Sequence, residues 1–196
     1  MTAKPIEGKQ KSTQAPADYG VVLEPGTVCL ERVLPGPIER VWAYLTESEK
    51  RGKWLATGEM EPLVGGVAEL TIRHSTLSTK QAPIPARFKK FEKGARSQHT
   101  ITRFEPPRLL SLTWGGGIDG MSEVTFELSA RGDEVLLVVT HRRLADRQTA
   151  VDVCAGWHSH LAILLDRLSG REPQAFWTLW ERLKSEYEKR VPSAKS

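Results

Sequence analysis

Along the middle of the chain apolar residues recur at every second position, and after Leu144 they recur at every third or fourth. The first period belongs to half-buried strands and the second to amphipathic helices. Strands are predicted over 21–23 and 28–34. Pro35, Gly36 and Pro37 stop the second of these, and Pro37 suits the first turn of a helix. Ile38, Val41, Trp42 and Leu45 then fall at helical spacing, which predicts a short helix over 37–46. A second short helix is predicted over 48–55. Gly65 and Gly66 mark a turn into a strand at 67–74, with Ala68, Leu70, Ile72 and His74 on one face and Glu69, Thr71 and Arg73 on the other. Further strands are predicted over 86–91, 97–104, 109–114, 122–128 and 134–141, separated in the later part by Pro and Gly turns.

The helical period then takes over. Val153, Gly156, Trp157, His160, Leu161, Leu164, Leu165 and Leu168 form one stripe, predicting a helix over 149–168 that Gly170 ends. At 1.5 Å per residue, a helix of about 20 residues crosses a whole sheet. A last helix is predicted over 173–190, with Phe176, Trp180, Leu183 and Tyr187 on one face. Strands that follow one another without helices between them imply an antiparallel sheet and an α+β class. The expected organisation is a disordered tail over 1–19, one domain over 20–170 and an additional helix and tail over 171–196. A long helix laid across a strongly curved sheet cannot touch it everywhere, so a cavity between them is expected.

Composition narrows this picture. The 196 residues are 39% hydrophobic and 27% charged, which is globular composition for one domain with a sizeable core. The apolar runs are strand-sized and far short of a membrane span, and residues 1–20 contain no apolar leader core. Cys29 and Cys154 sit in separate apolar segments and are expected as reduced, buried thiols of a cytoplasmic protein. The formal charge of +4 is no nucleic-acid signature by itself. The densest basic stretch, RFKKFEKGAR at 87–96, interleaves Phe88 and Phe91 with its charges. It is expected as a solvated hairpin with its apolar residues turned inward, and no nucleic-acid partner is assigned to it.

Candidate chemistry is sparse. GGGIDG at 115–120 matches the spacing of a dinucleotide loop, but the alternating residues after it predict a strand where that motif needs a helix. The loop is expected as a hairpin turn or cavity rim. His158 and His160 diverge on a helix, and no zinc-ligand spacing is present. Neither cysteine has a neighbouring base, so no catalytic residue, metal or cofactor is assigned. His74 and His141 end strands whose other same-face residues are apolar, which makes them cavity-lining polar anchors, or an acid and a base. Trp54, Trp114, Phe126 and Trp157 are expected to converge on the cavity or its base. The expected ligand-contacting set is Trp54, Ile72, His74, Trp114, Phe126, His141, Trp157 and Leu161. Trp177 lies off the apolar stripe of the last helix, which leaves an indole for a homodimer partner.

Five segments in order carry a family resemblance: PIERVW at 37–42, LVGGV at 63–67, FEPPRLLSLTW at 104–114, VTH at 139–141 and GWHSHL at 156–161. With them the chain resembles the START-like (SRPBCC) superfamily, and within it the group similar to the C-terminal domain of the activator of heat-shock-protein ATPase. The resemblance implies a helix-grip fold, a curved antiparallel sheet around a long C-terminal helix, with an internal pocket for a small apolar or aromatic molecule. Superfamily members include lipid carriers, hormone receptors, polyketide cyclases and co-chaperone domains, so fold leaves function open. Ligand binding is the first expectation. A co-chaperone-like interaction module and a cyclase- or hydrolase-type enzyme using the cavity histidines are the alternatives. Within these 196 residues the separate N-terminal domain of the eukaryotic activators is not expected, and their role is not carried over.

Overall fold

The computed structural model describes residues 19–115 and 121–192. The expected tail, apart from Tyr19, and residues 116–120 of the glycine loop lie outside the described residues. Seven strands, β1 (Val21–Glu24), β2 (Thr27–Pro35), β3 (Val67–Ile72), β4 (Ala95–Glu105), β5 (Leu109–Gly115), β6 (Met121–Arg131) and β7 (Glu134–Arg142), form one antiparallel sheet in the order β1-β2-β7-β6-β5-β4-β3. Helices α1 (Ile38–Thr46) and α2 (Ser48–Arg51) connect β2 to the loop before β3. Helix α3 (Arg147–Leu168) follows the last strand, and α4 (Phe176–Arg190) ends the described chain.

Strand alternation sets the concave face. Val124, Phe126 and Leu128 of β6 stand beside Leu112 and Leu110 of β5 and beside His141, Val139 and Leu137 of β7. All of these are buried. Against them lies α3, whose 22 residues span about 33 Å. Its start is set by Asp146, whose carboxylate accepts the Thr149 backbone N–H at 2.7 Å. That cap moves the helix start two residues ahead of the position the apolar stripe gives, because a stripe marks the buried face and not the first turn. The end falls at Gly170, where φ of +69° requires a residue free of a Cβ clash.

Two polar anchors tie the periphery to this core. The buried Arg51 guanidinium donates to the carbonyls of Thr46 (2.8 Å) and Gly58, closing the C-terminal end of α1 onto the loop before β3. Burial pushes its pKa down, with the nearby Glu59 carboxylate opposing that shift. At the other end of the molecule the Gly20 N–H donates to the Tyr187 hydroxyl at 2.7 Å, and that hydroxyl lies 3.0 Å from His158 Nδ1. The approach to β1 is thereby held on both α3 and α4.

The expected strand at 86–91 is a 3-10 helix, Ala86–Phe91. Phe88 and Phe91 are three residues apart, so a strand would send them to opposite faces. The three-residue turn brings both onto one side, and Pro85 opens it by accepting the Phe88 N–H at 2.8 Å. Strand β3 also ends at Ile72, two residues short of expectation, and His74 begins a 3-10 turn, His74–Thr76.

Candidate functional site

A cavity of about 590 Å³ lies between α3 and the concave face of the sheet. Its volume falls in the range of small-molecule sites. Helix α3 supplies Thr149, Asp152, Val153, Gly156, Trp157 and His160, and the sheet supplies Ile72, Ala95, Trp114, Gly115 and His141. The rest of the wall comes from Leu55, His74, Phe88, Phe91, Phe176, Trp177 and Trp180. Gly156 is the one helix position here without a side chain, and a Cβ built on it meets nothing within 4 Å. A glycine inside a helix costs about 0.5–1 kcal/mol relative to alanine. Its effect at this position is to leave the cavity open.

The inner wall is fixed by a hydrogen-bond chain. Trp157 Nε1 donates to His141 Nδ1 at 2.9 Å, which makes Nδ1 an acceptor and places the imidazole proton on Nε2. Nε2 then lies 2.7 Å from the Ser122 hydroxyl, which donates to the carbonyls of Trp114 (3.2 Å) and Gly115 (3.1 Å). Burial depresses the His141 pKa to about 4, so the ring is neutral near pH 7. Both of its nitrogens are engaged inside the protein. His141 therefore orients Trp157, and the ring that sequence parity offers as a ligand anchor has no nitrogen left to give.

A free nitrogen is found on a different histidine, and the His74 ring beside it likewise makes no hydrogen bond among the described residues. His160 is 6% exposed, and its Nδ1 donates to the Trp54 carbonyl at 2.7 Å. That bond fixes the tautomer and leaves Nε2 as an acceptor with no hydrogen-bond partner among the described residues. Burial holds the His160 pKa near 4, against the opposing effect of the Trp54 carbonyl. His74 stands beside it, with ring centroids 5.5 Å apart, and is stacked on Phe176 at 3.9 Å. Burial, and secondarily the neighbouring His160, push the His74 pKa down to about 3. The cavity thus holds three neutral imidazoles in an aromatic enclosure.

The structure brings Ile72, His74, Trp114, His141 and Trp157 together on the cavity wall. It sets Trp54, Phe126 and Leu161 in the packed core behind that wall, each at 2% exposure or less. Trp54 Nε1 is satisfied by the Tyr44 carbonyl at 2.8 Å, and Phe126 meets Trp157 edge-on at 5.4 Å. Strand alternation assigns Phe126, and helical spacing Leu161, to the correct face, but neither carries information on depth. The sequence reading missed His160, Phe88, Phe176, Trp177 and Trp180. For His160 a signal was present, since it shares the α3 stripe with Trp157. The exposed indole expected at Trp177 is corrected: it is 8% exposed and stacks on Phe88 at 5.2 Å. Helix α4 packs against α3 on one side and against the 86–91 turn on the other, so two adjacent faces are buried and the single-stripe argument fails.

Phe91 and Gly115 are the exposed members of the lining and mark the mouth. Beside the mouth the Arg87 guanidinium pairs with Asp152 of α3 at 2.7 Å and lies over the rings of Phe88 (4.5 Å) and Trp180 (4.9 Å). Phe88 is held between Trp177 and Trp180. The 3-10 segment is thus a strap fastened to both C-terminal helices.

Comparison with known proteins agrees with this architecture. The sequence profile of the family described as Activator of Hsp90 ATPase homolog 1-like protein matches residues 35–169. No curated protein matches the chain. Among solved structures, the protein encoded by gene BPP1335 of Bordetella parapertussis is 45% identical, with a TM-score of 0.76 over 91% of this chain and 93% of that one. CalU16 from Micromonospora echinospora is 22% identical, with a TM-score of 0.62 over 85% of this chain and 89% of that one. EF2215 from Enterococcus faecalis is 19% identical, with a TM-score of 0.61 over 88% and 91%. The last two show the fold alone. With a family profile spanning most of its length and a curved antiparallel sheet closed by a long C-terminal helix, the chain belongs to the Activator of Hsp90 ATPase homolog 1-like family and has the START-like helix-grip fold.

Proposed function

We propose that this protein is a START-like binding domain that holds a small, uncharged, largely aromatic molecule in the α3 cavity, with one hydroxyl or N–H of the ligand donating to His160 Nε2. The observation that carries the reading is that acceptor, open to a cavity walled by four indoles and three phenyl rings, with His74 beside it. A ligand donor placed on that nitrogen adds a hydrogen bond worth about 0.5–1.5 kcal/mol net. Charge is disfavoured because the three cavity imidazoles are neutral and the Arg87–Asp152 pair is already internally compensated. A carboxylate or ammonium entering this space would lose its hydration without a counter-charge. Catalysis by the histidines is the weaker reading: a base working near pH 7 needs a pKa close to that pH, and His74 and His160 sit near 3 and 4.

The test uses 2-naphthol, naphthalene and 2-naphthoate as probes, followed by quenching of tryptophan fluorescence. The naphthol should bind more tightly than the hydrocarbon by about fivefold, one hydrogen bond's worth, and the naphthoate most weakly. Gly156→Leu should abolish binding of all three while leaving the unfolding midpoint unchanged or higher, since leucine favours helix and occupies the empty space. Undiminished binding by the Gly156→Leu protein, or preference for the naphthoate, would overturn the reading.

A further inference from the structure

Residues 80–96 carry six basic side chains against one acidic, more net charge than the +4 of the entire chain. Two of the six are neutralised within the fold, Arg87 by Asp152 and Arg96 by Glu69. Lys89, Lys90 and Lys93 are exposed and have no ion-pair partner among the described residues. Between them stands Phe91, an aromatic ring 42% exposed that at the same time lines the cavity. Lys90 Nζ lies 4.9 Å from the centroid of that ring. The 3-10 turn therefore presents one apolar side chain at the mouth, flanked by unpaired ammonium groups.

We propose that this face docks on an anionic lipid surface, with Phe91 inserted at the interface and Lys89, Lys90 and Lys93 on the lipid headgroups, so that the cavity mouth opens toward the bilayer. Lysines beside an exposed apolar ring suit a surface that is anionic at its headgroups and apolar below them. Nucleic acid matches less well. Single-strand binding needs open ring faces for stacking bases, whereas Phe88 is enclosed by two indoles and Phe91 has a lysine over its ring. A lipid surface also accounts for the location, because an apolar ligand could pass between bilayer and cavity without crossing water. The docking itself does not depend on which ligand the cavity holds.

Sedimentation of the full chain with vesicles tests it, using phosphatidylcholine alone and phosphatidylcholine mixed with phosphatidylserine. The protein should pellet with the mixed vesicles only, and less so as salt rises. Each lysine near an anionic surface is worth about fivefold in affinity, so the Lys89→Gln/Lys90→Gln/Lys93→Gln protein should bind about a hundredfold more weakly. Phe91→Ser should also weaken binding, with its thermal midpoint unchanged. No pelleting with the mixed vesicles, equal pelleting of wild type and the triple variant, or tighter binding to single-stranded DNA than to the mixed vesicles would each overturn the proposal. Loss of naphthol binding in Gly156→Leu with vesicle binding intact would separate the two readings.

Discussion

Trp157 has two roles that a single substitution can separate. Its ring lies against Trp114 at 5.3 Å and Phe126 at 5.4 Å, and its N–H holds His141. Phenylalanine keeps most of the ring packing and removes the donor, leaving His141 Nδ1 a buried acceptor without a partner. Trp157→Phe should therefore lose about 1–3 kcal/mol of stability in urea unfolding. A neutral result would mean that the chain from Trp157 through His141 to Ser122 does not hold the inner wall. At this scale strand parity and helical spacing place most side chains on the correct face. They do not distinguish His141, whose nitrogens are both engaged, from His160, which keeps one free. That distinction rests on where the Trp54 carbonyl and the Ser122 hydroxyl come to lie, and those partners are 106 and 19 residues away in the chain.

Among elements, the 86–91 strap is the part least anchored by strand pairing. Its hold on α3 is the Arg87–Asp152 pair, whose side chains are 43% and 27% exposed. Pairs this open to solvent contribute about 0.2–1 kcal/mol. Arg87→Ala should leave the global unfolding midpoint nearly unchanged, while amide exchange across 86–94 accelerates about fivefold through local opening. Uniform acceleration through the sheet as well would show that the strap folds as one unit with the core. The strap also explains the misread strand, since Phe-x-x-Phe after a proline satisfies a three-residue turn, whereas a strand face needs a spacing of two. Element type was legible wherever a long periodic run existed, as in β5 to β7 and α3. It failed where six residues and two phenylalanines had to decide.

For the whole molecule the buried histidines make stability depend on pH. His74, His141, His158 and His160 have folded pKa values near 3 or 4, against an ordinary value of 6.5. Desolvation is the leading cause for each. Between those limits the unfolded chain binds more protons than the folded one, so stability rises with pH across the window. It is fully present above about 6.5 and is lost progressively as pH falls toward about 4. The thermal midpoint should therefore drop steeply between about pH 7 and about pH 5, before the carboxylates titrate. A flat profile there would mean that these rings are solvated in the folded state.

The sequence by itself determined the antiparallel strands of the sheet apart from their exact ends and one false strand over 86–91, the long closing helix, and the faces that Ile72, Trp114, His141 and Trp157 present. These follow from periodicity and turn chemistry, which are local properties of the backbone. Tertiary structure alone decided the depth of Trp54, Phe126 and Leu161 and the burial of Trp177. It also decided the enclosure of the cavity by α4 and the strap, and that His160 rather than His141 keeps a free imidazole nitrogen. Each of these depends on which distant segment arrives to cover a face or to accept a proton, and no local pattern encodes that partner.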